Sequence, residues 1–98
     1  MTTSLVPSPE DYVACKSWQK RCLLVSERRQ SELCSLLGVR PAGLEMALLE
    51  ARTYGMTHQV RQAMSQWMDS ENELAHAMSL VDTAEAIHVE KAFKELDE

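Results

Sequence analysis

An all-α fold, a hairpin or bundle of four to five helices that pairs as a dimer, is predicted from three features of this 98-residue chain. Glycine and proline number only three each, so little interrupts a helix. Apolar residues recur at spacings of three and four along most of the chain, the period of a single helix face. The composition, 45% hydrophobic and 26% charged, is that of a globular chain and not of a disordered one.

Residues 1–8 read as a flexible N-terminal arm and 9–98 as a single helical domain. Ser8-Pro9-Glu10-Asp11 reads as a helix start, with Ser8 capping, Pro9 in the first helical position and acids near the positive helix end. Cys15, Trp18, Cys22 and Val25 then form one apolar stripe, and Leu33, Leu36 and Leu37 resume it after a polar interval from Ser26 to Glu32. That interval is either a break or an exposed middle. Gly38, followed by Val39-Arg40-Pro41, ends the helix.

A short helix is predicted over 42–54, with Leu44, Leu48 and Ala51 on one face, Met46 and Leu49 beside them, and Gly55 closing it. Thr57 caps the next helix, whose stripe is Val60, Met64, Trp67, Leu74, Met78 and Val81. Ser70-Glu71-Asn72-Glu73 is either a capping box opening a new helix or a polar turn of a long one, and Asp82-Thr83-Ala84-Glu85 is a second capping-box pattern that opens a last helix. The last stripe is Ala86, Val89, Phe93 and Leu96, and an acidic tail, Asp97-Glu98, follows.

The net charge of −5 is uneven. Residues 1–57 hold seven basic and six acidic side chains, and residues 58–98 hold three basic and nine acidic. A nucleic-acid binder shows a strong basic excess, so head-to-tail attraction between copies, or a basic partner, fits better. A domain this short buries only about 60–65% of its unfolded surface, and a homodimer would enlarge its core. No apolar run approaches the roughly 18 residues of a membrane span, and the expected compartment is the cytoplasm. The three cysteines, Cys15, Cys22 and Cys34, are an odd count. Cys15 and Cys22 share a helix face but lie about 10 Å apart, too far for a disulfide, so all three read as small buried hydrophobes.

Candidate chemistry is sparse. His58, His76 and His88 form no HExxH arrangement and no zinc-ligand spacing with a cysteine. There is no Gly-rich phosphate loop, and Glu71 and Glu73, two apart, diverge on a helix. No catalytic residue, cofactor or metal is expected. Residues 32–48 resemble a helix-turn-helix, with Cys34 four before the turn glycine Gly38, Val39 after it, and Leu44, Ala47 and Leu48 at packing positions. Its exposed positions include Ala42, Glu45, Met46 and Leu49, where base-reading donors would stand. The geometry is therefore expected to serve packing, with direct DNA binding the alternative.

Protein binding has positive support. Met64, Trp67 and Met68 make an apolar arc wider than one core face requires, and Asp69, Glu71 and Glu73 give it an acidic rim. Met64, Trp67, Met68 and Glu71 are the candidate partner-binding residues. In size, helicity, acidic charge and lack of a catalytic motif, over its full length, the chain resembles the small bacterial antiactivators of quorum-sensing transcription factors. The resemblance implies a non-enzymatic regulatory protein that binds a transcriptional regulator and blocks its dimerisation or DNA binding. It carries no motif, so no functional residue transfers with it. A small secretion or assembly chaperone would share this binding mode and differ in its client.

Overall fold

The computed structural model describes residues 6–96. It holds α1 (Tyr12–Leu37), a single 3₁₀ turn (Pro41–Gly43), α2 (Leu44–Tyr54) and α3 (His58–Leu96). The all-α class is as the sequence predicts, but there are three α-helices among the described residues instead of four to five. Residues 1–5 of the expected arm and the Asp97-Glu98 tail lie outside the described residues.

Local chemistry explains each boundary. Ser8-Pro9-Glu10 does not open α1. It forms a turn in which the Asp11 N–H donates to the Ser8 carbonyl at 3.0 Å, with Pro9 in the position that turns favour. Asp11 is the cap, its Oδ1 accepting the Ala14 N–H at 3.0 Å. At the other end Val39 N–H donates to Cys34 O at 3.0 Å and Gly38 N–H to Ser35 O at 3.3 Å. Gly38 has φ +67°. This is a Schellman close, which needs a left-handed residue. Thr57 Oγ1 accepts the Val60 N–H at 3.2 Å and starts α3 as expected.

Neither polar tetrad breaks α3, which runs unbroken for 39 residues. The hydroxyls bond backward along the helix instead of capping a new one. Ser70 Oγ donates to the Trp67 carbonyl at 2.6 Å, and Thr83 Oγ1 to the Ser79 carbonyl at 3.2 Å.

The inward faces follow alternating steps of three and four, a heptad repeat. On α3 the series is Val60, Ala63, Trp67, Ser70, Leu74, Ala77, Val81 and Ala84, each buried or half-buried. Every second member is small, which permits close helix approach. On α1 the series is Tyr12, Cys15, Gln19, Cys22, Ser26, Arg29 and Leu33, again all buried or half-buried. Two expectations change here. Val25 is half exposed and Ser26 takes the inward position, while Ala77 displaces Met78. The polar interval of α1 is therefore neither a break nor fully exposed.

The chain divides into two compact units, one of residues 1–23 with 73–98 and one of residues 24–72. In the first, Cys15 packs with Val81 and Ala84, and Trp18 and Cys22 pack with Ala77. Tyr12 stacks on His88 at 5.2 Å, and Trp18 meets His76 edge-on at 5.6 Å. In the second, Leu33, Cys34, Leu44, Val60 and Ala63 form the core, with Leu37, Val39, Leu48, Met56, Met64 and Trp67 around it.

Candidate interaction surface

The four candidate partner-binding residues stand on α3 within the second unit, and the structure separates them. Met64 and Trp67 are half-buried and pack against the core that α2 helps to close. The Trp67 indole N–H is buried with no hydrogen-bond partner. Met68 is 50% exposed. Glu71 accepts the hydroxyl of buried Ser26 at 2.7 Å, so it holds a polar contact of the fold beside whatever it offers outside. The wide apolar arc thus has two functions, with Met64 and Trp67 facing the core and Met68 facing solvent.

Further exposed apolar side chains lie on the other helices of this unit. Met46 and Leu49 stand on the outer side of α2, beside Glu45 and Glu50, while Leu44 and Leu48 face inward. Leu24 and Val25 are exposed on α1. A groove of mixed character is lined by Gln59, Gln62, Gln66, Ser31, Glu32 and Ser35 with Leu36 and Ala63. Arg29 donates to two of its lining residues, to Glu32 at 3.2 Å and to Gln66 at 3.3 Å.

In the first unit an open groove of about 610 Å³ is lined by Leu23, Leu74 and Met78 together with Lys16, Lys20, Ser17 and Gln19. The sequence reading missed this groove, because it needs two helices to be paired before their residues meet. Its one sequence signal is that Met78 lies two heptads after Met64.

Among the described residues no group of three His, Cys, Asp or Glu side chains is placed to hold a metal ion, and no helix is long and apolar enough to cross a membrane. All three cysteines are buried and unbridged, as expected. Burial pushes the Cys15 thiol pKa up, with the Asp11 carboxylate adding to it, and Cys15 Sγ donates to the Ser8 carbonyl at 3.3 Å. Cys22 is raised by burial and then by Glu73, against an opposing effect of Arg21. Two results are expected. Native protein at pH 8 reacts slowly with a thiol reagent and rapidly once unfolded. Because the folded pKa values are raised, the thiols are neutral in both states below about pH 8.5, and above it the unfolded chain ionises first and stability falls. A C15A/C22A variant, itself less stable by about 1–2 kcal/mol per site, should lose less stability between pH 8 and 10 than the native chain. An equal loss would show that the thiols are not the titrating groups.

The chain matches no known protein family, no curated protein and no solved structure.

Proposed function

We propose that this protein acts without catalysis, by binding another protein through its exposed apolar helix faces and occluding it. The specific form of the proposal is an antiactivator that docks on a quorum-sensing transcriptional regulator in the cytoplasm and blocks its dimerisation or its hold on DNA. One observation carries the binding reading. Met46, Leu49 and Met68 are each at least half exposed, while the buried positions nearby on α3 go to small residues, Ala63 and Ser70. Methionine repacks at little cost, which suits an adaptable interface. Of the four candidate residues, Met68 is the one whose side chain a partner meets directly, with Glu71 beside it.

The test is a gel shift with a purified autoinducer-bound regulator on its operator. Added protein should abolish the shift stoichiometrically. M68D keeps its helical circular dichroism, since the site is half exposed, and weakens this inhibition at least tenfold. W67A, by contrast, lowers stability by about 3 kcal/mol because its ring packs on the core. A shift that survives excess protein sinks the antiactivator reading, and native inhibition by folded M68D moves the site elsewhere.

Direct DNA binding is the second reading, favoured by Cys34, Val39, Leu44 and Leu48 packing together around a left-handed glycine turn. Against it, the outer side of α2 presents Glu45 and Glu50 to any phosphate backbone. The protein alone, at micromolar concentration and low salt, is expected to shift no DNA. A sequence-specific shift removed by R40A would replace the protein-binding reading with this one.

A further inference from the structure

We propose that the groove of the first unit is the seat of a second copy of this chain, and that the occupant is the C-terminal end of that copy's α3. Two independent observations support the pairing. The first concerns what covers the helix. Met64 and Met78 occupy the same heptad position of α3, fourteen residues apart. In the second unit Met64 packs against a cluster that includes Leu44 and Leu48 of α2. Among the described residues of the first unit no third helix performs that task, and Met78 is 51% exposed beside Leu23 and Leu74. A helix laid along this face would bury what α2 buries in the other unit.

The second observation is that the first unit also carries an amphipathic helix end that none of the described residues covers. Every residue of α3 from His88 to Leu96 is exposed. Val89, Phe93 and Leu96, at spacings of four and three, form one stripe turned about 120° round the helix from the inward Val81 and Ala84, with Phe93 64% and Leu96 79% exposed. With Ala86 these residues are the last apolar stripe of the sequence, and none of the described residues covers it. Glu85 and Glu90 flank it at about 60–80° on the helical wheel, while Lys91 falls on the opposite side. The groove lining, in turn, includes the basic Lys16 and Lys20. An apolar stripe edged by carboxylates therefore meets apolar groove residues accompanied by ammonium groups. Glu90 already touches Lys94 at 3.7 Å, but that pair is exposed and exchanges readily for one at an interface. Each copy carries both the groove and the stripe, so two copies can exchange them reciprocally and close a dimer.

The experiment uses the full chain alone, so its outcome is independent of any other partner and of the antiactivator reading. Sedimentation equilibrium at micromolar concentration should give twice the 11.1 kDa chain mass. F93D and M78D, both at exposed positions, should keep their circular dichroism and each raise the dimer dissociation constant at least tenfold. An equimolar mixture of the two should associate more tightly than either alone, because the mixed pair retains one native stripe in one native groove. Carbodiimide cross-linking of a mixture of isotope-labelled and unlabelled chains should join Lys16 or Lys20 of one copy to Glu85 or Glu90 of the other. A monomeric native chain overturns the proposal. So does a dimer that is indifferent to either variant, or one whose inter-chain cross-links avoid Lys16 and Lys20.

Discussion

Replacing Leu44 by alanine should lower the unfolding free energy by about 3 kcal/mol, within the range for deleting a fully buried leucine. Leu44 is 2% exposed and packs with Leu33, Cys34, Val60 and Ala63. It also opens α2, which has only 11 residues. A helix of that length is marginal in water by itself, so α2 depends on the side chains that dock it. With a domain's whole stability of about 5–15 kcal/mol, the loss is a large fraction, and the melting temperature should fall by roughly 12–20 °C. The amides of residues 44–54 should lose hydrogen-exchange protection before the rest of the chain, as a locally released segment does. L49A, on the exposed side of the same helix, provides the comparison and should change stability by less than about 0.5 kcal/mol. Equal effects of the two substitutions would mean that α2 is not docked by the face described.

Where an element depended on local chemistry it was legible in the sequence. Gly38 announced the end of α1 because only a left-handed residue closes a helix in that way, and Thr57 announced α3 because its hydroxyl reaches an N–H three residues on. The start of α1 was placed too early, at Ser8, because Ser8-Pro9 suits a turn as well as a helix cap, and the bond that caps the helix is made by Asp11. The polar tetrads misled for a related reason: a serine or threonine hydroxyl can donate backward as readily as it accepts forward, and Ser70 and Thr83 do the former. The inward faces were half legible. Large residues drew attention to Val25 and Met78, yet the inward positions went to Ser26 and Ala77. Ser26 can be buried there because Glu71 accepts its hydroxyl, a bond across 45 residues that no local pattern reveals. The candidate site divided along the same line. That Met68 lies further round the helix than Trp67 follows from helix geometry, whereas the core role of Trp67 and Met64 depends on where α2 docks.

The buried small residues on the inner face of α3 make Ala77→Leu the most informative substitution in the first unit. Ala77 is 0% exposed and packs against Trp18 and Cys22. It is one of the small residues that recur every seventh position on the inner face of α3, with Ala63, Ser70 and Ala84. Leucine has a good helix propensity, so any penalty must come from packing and not from the helix itself. Three extra carbons against an indole have no space to enter, and overpacking of this kind costs about 1–3 kcal/mol, with the upper end expected at a fully enclosed site. Ala75→Leu, on the exposed side of the same turn, should stay within about 0.5 kcal/mol of the native protein. The decisive variant is the double one. Trp18→Leu alone should destabilise by leaving a cavity, but in combination with Ala77→Leu the new side chain fills part of the volume that the indole vacates. The pair should therefore be more stable than the sum of the single effects by about 1 kcal/mol or more, the coupling expected of residues in direct contact. Urea unfolding of the four proteins, the native chain included, measures that coupling. Strict additivity, or a neutral Ala77→Leu, would mean that the small residues of α3 do not set the helix separation and that the heptad series describes periodicity alone.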